Sequence, residues 1–217
     1  MKKTIIALIS YLFICNTSIA ADFTTSVGIS GNMAVYAATG IEKNYDETGT
    51  SVVTTTKEYG AFTDSYGSVF VEVGNDLVSL GVDYVPMTIE TPQNVSNDGA
   101  NENKVKAEFD NLLTVYAKLN IPQLGGTYLK AGYSKVDITS VETMNSGSKY
   151  PNTDTSGFLA GIGYAKDIGS NGMSLRAELS YVNFDNVSVS NGATNKNTIS
   201  VEDMIGARGT ISLVKSF

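Results

Sequence analysis

The residues best placed to do chemistry are charged side chains that interrupt otherwise apolar stretches. They are four cations and three carboxylates: Glu72, Asp83, Lys118, Lys130, Arg176, Glu178 and Arg208. A buried charge needs a partner of opposite sign, so a nearly balanced set predicts a network of ion pairs. The alternative is that these charges line a water-filled path.

Histidine is absent from the 217 residues. Without it, Ser-His or Cys-His activation of a nucleophile and imidazole ligation of a metal are excluded. Carboxylate acid–base chemistry stays possible, but no motif points to it. We therefore predict that the protein is not an enzyme and that it has no catalytic residue, no cofactor and no metal site.

The charges lie on the polar face of segments that alternate with period two, which is the pattern of a half-buried β-strand. In residues 127–138, for example, Leu129 and Ala131 share one face, and Lys130 lies on the other. Alternation of this kind predicts strands with one apolar face and one polar face.

The segment around Glu72 is less regular than the others. Phe62, Tyr66 and Phe70 have the same parity as Glu72 and would share its polar face. A β-bulge near Gly67 would move the upper part of this strand to the other face. We therefore predict a bulge at that point.

Eight alternating segments rich in Tyr, Val, Thr and Ile are predicted as strands, at 23–37, 58–73, 77–87, 106–120, 127–138, 156–167, 173–184 and 198–217. Long polar connections alternate with short turns, and the long ones span 38–57, 88–105, 139–155 and 185–197. Outer-membrane barrels have this order, with short periplasmic turns and long external loops. The sequence therefore predicts an all-β fold: an eight-stranded antiparallel up-and-down transmembrane β-barrel with its polar face toward the lumen.

Aromatic residues fall near the two ends of these strands, and amphipathic rings favour the two interfaces of a bilayer. The predicted periplasmic set is Phe23, Phe70, Tyr128, Tyr164 and Phe217. The predicted external set is Tyr36, Tyr59, Phe62, Tyr84, Phe109, Phe158, Tyr181 and Phe184.

The first 20 residues have the layout of a secretory signal peptide. Lys2 and Lys3 precede an apolar run, and Ser18 and Ala20 offer a small-residue cleavage site. Cleavage would leave residues 21–217 as a single barrel domain without cysteine. The net charge of the whole chain is −7, so nucleic acid is a poor partner for it.

The last predicted strand carries the most specific resemblance to a known family. The sequence "GTISLVKSF" places Ile211 and Leu213 on one face and ends on Phe217. The chain resembles the small eight-stranded outer-membrane barrels of the OmpA, OmpX and opacity type, whose last strand is a signal read by the barrel-assembly machinery. Lys215 departs from the family pattern, which usually has an apolar or aromatic residue there, although a lysine near the interface can snorkel to water.

The resemblance implies partners and a role for the last strand. Ile211, Leu213 and Phe217 are predicted to form the assembly signal, with the barrel-assembly machinery and periplasmic chaperones as partners. The expected location is the outer membrane of a Gram-negative bacterium, where lipid surrounds a monomeric barrel.

Three function classes are compatible with such a barrel. The first is a structural and surface-display protein whose long external loops bind an unassigned surface ligand. The second is a small porin-like channel for small or hydrophobic solutes. The third is a lipid-modifying barrel enzyme, but known families of that kind rely on a histidine. A barrel of eight strands is just wide enough for its own side chains, so we favour the first class and a lumen packed with ion pairs.

Overall fold

A computed structural model describes residues 23–98, 101–143, 149–192 and 196–217, and the predicted signal peptide lies outside this part of the chain. The described residues form β1 (Thr24–Tyr45), β2 (Val52–Gly74), β3 (Val78–Tyr84), β4 (Ile89–Glu90), β5 (Asn94–Asp98), β6 (Asn101–Ile121), β7 (Thr127–Thr143), β8 (Thr153–Asp167), β9 (Met173–Phe184), β10 (Val187–Ser190) and β11 (Asn197–Ser216), with a short 3₁₀-helix at Pro122–Leu124. No helix in these ranges is long and apolar enough to cross a membrane.

Eight of the strands form a closed antiparallel ring. Their order is β1-β2-β3-β6-β7-β8-β9-β11, and β11 returns to pair with β1 over almost its whole length. The short strands β4 and β5 pair with β6, and β10 pairs with β11. The prediction of an eight-stranded antiparallel up-and-down transmembrane β-barrel is confirmed. Ring closure satisfies the backbone groups that lipid cannot.

Except in the upper part of β2, the two faces of the ring strands are the predicted ones. In β7, Tyr128, Lys130 and Ser134 are buried in the lumen, whereas Leu129 and Tyr133 are exposed on the outer surface. Large exposed apolar side chains recur on the outer face of the other ring strands, as at Ile29 and Leu179. The apolar face is therefore the outer one, where it meets lipid.

The strands differ from the predicted segments mainly at the end with the long connections, which we call the external end. β1 and β2 continue through most of the predicted loop 38–57, and strands also occupy parts of 88–105, 139–155 and 185–197. Thr and Val favour an extended backbone there. From Val52 to Ala61, however, β2 is exposed on both faces, so it lacks the alternation of a half-buried strand.

The third strand is shorter than predicted. β3 ends at Tyr84 rather than near residue 87. Pro86 follows two residues later, and proline removes a backbone donor that continued pairing would need. As a result, β3 supports its neighbour β2 only from Val69 to Gly74.

The bulge predicted near Gly67 is absent. The register between β2 and β1 is continuous from Gly74 to Thr54. Tyr66 and Phe70 therefore stay on the inward face with Glu72, and all three are buried. The prediction was wrong because it assumed a wholly polar lumen, whereas this lumen packs aromatic rings beside charges.

The predicted aromatic sets are wrong in part for the same reason. Phe70 and Tyr128 of the periplasmic set are buried in the lumen, and four residues of the external set pack on an interior apolar cluster: Tyr36, Phe62, Phe109 and Phe184. The members exposed on the outside are Phe23, Tyr59, Phe158, Tyr164, Tyr181 and Phe217.

Candidate functional site: a charged plug below an apolar cavity

The seven predicted charges all point into the barrel and are at least nine-tenths buried. Together with Tyr116 and Tyr128 they form what we call the lumen plug. It lies in the half of the barrel near the short turns, which is the periplasmic half in the predicted orientation.

Glu72 is the centre of one half of the plug. Lys118 Nζ lies 2.8 Å from Glu72 Oε2, and Arg176 Nη1 lies 2.7 Å from Glu72 Oε1. The hydroxyl of Tyr116 donates a third hydrogen bond to Glu72 Oε1 at 2.9 Å. Two cations and one hydroxyl thus share a carboxylate that is 4% exposed, so its burial is well compensated.

Glu178 is the centre of the other half, with partners of the same kinds. Lys130 Nζ lies 3.2 Å from Glu178 Oε1, and Arg208 Nη2 lies 3.8 Å from the same atom. The hydroxyl of Tyr128 donates to Glu178 Oε2 at 3.2 Å. The contacts are longer than those of Glu72, so this half is held more loosely.

Each tyrosine of the plug reaches its carboxylate across a glycine on the strand between them. Gly81 lies between Glu72 and Tyr116, and Gly163 lies between Glu178 and Tyr128. A Cβ at Gly81 would lie 2.5 Å from the Tyr116 Cζ, and one at Gly163 would lie 2.2 Å from the Tyr128 Cζ. Only a residue without a side chain leaves room for these rings.

The two halves meet at a pair of lysines. Lys118 and Lys130 are direct cross-strand neighbours on β6 and β7, and like charges in such positions repel. Each lysine lies over the tyrosine of the opposite half: Lys130 Nζ is 4.1 Å from the centroid of the Tyr116 ring, and Lys118 Nζ is 5.5 Å from that of Tyr128. Cation–π attraction therefore adds to the ion pairs where the repulsion is strongest.

Asp83 is the third carboxylate of the plug. It accepts a hydrogen bond of 3.1 Å from the hydroxyl of Ser68, and the charges of Arg208 and Lys130 attract it. Ser68 in turn accepts from the amide of Asn32 at 3.2 Å. This chain of contacts ties the plug to β1 and β2.

An apolar cavity of about 460 Å³ lies at the external end of the barrel. Its lining includes Tyr36, Phe62, Phe109, Leu112 and Phe184. Some of these side chains also border a void of only about 10 Å³ beside Arg208, which has room for at most about one water. We call the larger space the external cavity. It ends on the lumen plug.

A gap in the barrel wall borders the external cavity. Above Val69, β2 has no strand partner on the side of β3 among the described residues. The carboxylate of Asp64 spans the gap, since it accepts hydrogen bonds from the backbone N–H groups of Ser65 at 2.7 Å and Glu90 at 3.4 Å. Near it, the thioether of Met87 accepts from the N–H of Gly67 at 3.2 Å. Side chains, rather than a backbone ladder, close this part of the wall.

Charges beyond the cavity form exposed pairs. Lys106 Nζ lies 2.7 Å from Glu108 and 2.8 Å from Glu90, and the hydrogen bonds to these carboxylates raise the pKa of Lys106. At the tip between β1 and β2, the Thr48 hydroxyl and nearby backbone N–H groups lower the pKa of Asp46. Pairs in contact with water stabilise little, so these contacts shape the hairpins more than they hold the barrel together.

Sequence reasoning missed the tyrosines and glycines of the plug and the whole external cavity. The alternation places Tyr116 and Tyr128 on the polar face, and this could have indicated that they point into the lumen. Their hydrogen-bond partners depend on strand register, which the alternation does not give. No group of three or more metal-ligating residues that could hold an ion occurs in the part of the chain that the structure describes.

Comparison with known proteins identifies the fold. Neither family models nor curated sequences match the chain. The outer membrane protein OprG from Pseudomonas aeruginosa has a similar structure, with 13% identity and a TM-score of 0.57 over 88% of this chain and 95% of that one. AlkL, solved by solid-state NMR in lipid bilayers, is similar with 10% identity and a TM-score of 0.53 over 93% and 94%. The chain thus shares the fold of small outer-membrane β-barrels.

Proposed function

We propose that this protein is a barrel of the Gram-negative outer membrane that takes up small apolar compounds at its external end and does not conduct through its lumen. The observation that carries the proposal is the apolar external cavity, which ends on a plug of buried ion pairs. A cavity of about 460 Å³ is in the size range of ligand pockets. An apolar compound gains free energy there by leaving water. The proposal assigns no catalytic residue, cofactor or metal to the chain.

The wall gap offers the route from the cavity into the membrane. Phe62 on β2 and Ile89 on β4 line the cavity on either side of the gap. About 9–11 residues of a tilted strand cross the hydrocarbon, so the unpaired part of β2, above Val69, begins within the membrane. An apolar compound can then enter lipid without passing the charged plug.

Uptake by cells tests this proposal. Ala107→Phe would place a ring in the external cavity, because Ala107 is part of its lining. Cells that make the unaltered protein should accumulate toluene and n-octane faster than cells that make Ala107→Phe. The matched control is Ala131→Phe on the exposed outer face. Equal uptake by the unaltered protein and Ala107→Phe would contradict the proposal.

A second candidate function is surface display. The hairpin of β1 and β2 supports it, since β2 is exposed on both faces for ten residues, from Val52 to Ala61. A rigid, solvated hairpin of this kind can present a binding surface for a ligand outside the cell. Membership of the OmpA, OmpX and opacity group is part of this second candidate and rests on the last strand.

The proposed partners in assembly are the barrel-assembly machinery and periplasmic chaperones, with Ile211, Leu213 and Phe217 as the signal. The N–H of Phe217 donates to the carbonyl of Thr25 at 2.9 Å. Lys215, which departs from the family pattern, donates to the carbonyl of Asn171 in a short turn and lies over the Phe217 ring. Deletion of Phe217 should lower the amount of barrel in the outer membrane of cells while leaving refolding into lipid vesicles intact. Normal amounts in cells would refute this role.

A further inference from the structure

We propose that the external cavity selects flat aromatic compounds over saturated compounds of the same size, through Tyr36, Phe62 and Phe109. This inference rests on the proposed function, because it specifies which apolar compounds the cavity binds. Three features of the lining support it: the alignment of its rings, the position of Phe62 beside the wall gap, and hydroxyls that already make hydrogen bonds within the protein.

The first feature is a row of nearly parallel rings. Tyr36 and Phe62 are stacked, with centroids 5.3 Å apart and planes inclined by 29°. Phe62 and Phe109 are also stacked, with centroids 6.0 Å apart and planes inclined by 12°. A further flat ring can extend or enter this row in the same offset geometry, which is the geometry that aromatic pairs prefer. A puckered, saturated ring cannot keep parallel contact with it.

The second feature is where the row lies. Phe62 belongs to β2 and Phe109 to β6, and β3, which separates these strands lower in the barrel, has ended at Tyr84. In the wall between these strands, β4 pairs with β6 at Ile89 and Phe109. The two rings therefore meet inside the lumen, next to the edge of β2 that has no strand partner in the described part of the chain. The planes of the two rings are inclined by only 12°, so the rings face each other like the parallel sides of a slot. A flat guest needs the smallest widening of such a slot.

The third feature is that three hydroxyls of the lining are already hydrogen-bonded. The hydroxyls of Tyr36 and Tyr66 share a hydrogen bond of 2.8 Å. The hydroxyl of Thr91 accepts from the N–H of Ala107 at 2.9 Å, and that of Thr155 donates to the carbonyl of Asp185 at 2.8 Å. The other polar side chains of the lining, Glu58 and Tyr59, are exposed to solvent. A guest held against the three stacked rings therefore meets ring faces and aliphatic surface.

Stacking sets the size of the expected selectivity. An aromatic pair in good geometry strengthens an interaction by a factor of about 2–10 beyond the area that it buries. A flat bicyclic guest that makes one or two such pairs should bind roughly 3- to 30-fold more tightly than its saturated counterpart. The saturated counterpart still binds, because it buries similar apolar area.

Naphthalene and decalin are the probes, since they share a ten-carbon fused skeleton and differ in flatness. The protein is placed in lipid nanodiscs with ¹³C-labelled methionine methyl groups, and NMR shifts are followed against the amount of probe per lipid. Met204 lines the external cavity, whereas Met33 is exposed on the outer face. We expect the Met204 signal to shift and saturate at roughly 3- to 30-fold less naphthalene than decalin. The Met33 signal should change only in proportion to the probe in the lipid.

Two variants test the assigned residues. Phe62→Leu and Phe109→Leu keep apolar volume and remove a ring from the row, so each should weaken naphthalene binding by a factor of about 2–10 and leave decalin nearly unchanged. Ile29→Leu, a change of an exposed residue on the outer face, should affect neither. An unchanged Met33 signal shows that each variant is folded.

The outcomes separate this inference from the proposed function. Saturable binding of both probes with equal affinity, or equal losses for both in the Phe variants, would overturn the selectivity and leave the cavity as a general apolar site. No saturable shift of Met204 with either probe would overturn the proposed function and the selectivity with it.

Discussion

The two ends of the lumen are built from the same strands but are filled in opposite ways. β2 supplies Glu72 to the plug and, further up, Phe62 to the external cavity. In the plug, cations, carboxylates and tyrosine hydroxyls lie within 2.7–3.8 Å of one another around Glu72 and Glu178, and the void beside Arg208 is only about 10 Å³. At the external end, rings surround a space of about 460 Å³. The inward face of a strand therefore carries two kinds of lining, charged near the short turns and apolar at the external end.

The largest expected effect comes from breaking the plug. Glu72→Leu would leave Lys118 and Arg176 buried without their carboxylate. Loss of one partner of a buried pair costs about 3–5 kcal/mol. The free energy of unfolding, measured with urea in lipid vesicles, should fall by this amount. Glu178→Leu should cost less, because its cation contacts are longer, at 3.2 Å and 3.8 Å.

An equal loss of unfolding free energy in both Glu variants would mean that the lengths of the ion-pair contacts do not decide which half of the plug is more stable. A neutral Glu72→Leu would contradict the packed plug itself.

A charge introduced on the outer face should lower the free energy of unfolding nearly as much, for a different reason. Leu179 is 69% exposed on the lipid side of β9. Leu179→Arg should lower the free energy of unfolding by about 2–4 kcal/mol if the site is near the middle of the bilayer, since lipid does not solvate the charge. The same unfolding experiment measures it, with Leu179→Ala as the control for lost apolar area. An arginine variant no less stable than the alanine one would place this position outside the hydrocarbon.

An added side chain inside the plug should lower the free energy of unfolding by a smaller amount. Gly163→Ala puts a Cβ 2.2 Å from the Tyr128 ring, which must move away from Glu178. Overpacking of this kind costs about 1–3 kcal/mol. The control is Gly31→Ala on the outer face, where a Cβ would meet no heavy atom within 4 Å. Equal stability of the two alanine variants would refute the role of Gly163 as the opening for the tyrosine.

The smallest effect on stability is expected at the external end. A short epitope inserted at Gly49, in the turn between β1 and β2, should leave the barrel folded, because exposed loops accept insertions at small entropic cost. Antibody should reach it on intact cells. The same epitope at Asp76, in the short turn before β3, should be hidden. Equal access to both would contradict the predicted orientation of the barrel.

Alternation in the sequence predicts which face of a ring strand points inward wherever it is regular, as β7 illustrates with Lys130 inside and Leu129 outside. Alternation does not predict which inward-facing residues form ion pairs or hydrogen bonds with one another. Lys118 bonds Glu72 rather than Glu178 because of the register and tilt of six strands, which are long-range properties. Tyr116 reaches Glu72 only because Gly81 stands between them.

The external cavity was harder to foresee than the plug. It depends on the early end of β3 at Tyr84, which opens the wall, and on β2 keeping its register past Gly67, which turns Phe62 inward. Pro86 was a local signal for the first of these. The continuous register of β2 past Gly67 has no local signal, because the same amino-acid sequence is compatible with a bulge and with a regular strand.

The conductance of the unaltered protein in planar lipid bilayers tests the contrast between the two ends most directly. The plug holds Glu72 and Glu178 in ion pairs with four cations, and the void beside Arg208 is only about 10 Å³, so we predict no steady ion current through single molecules. Apolar compounds would still bind at the external end under the same conditions. A large, steady single-channel current from the unaltered protein would contradict the account, because ions would then be passing where the plug is said to close the lumen.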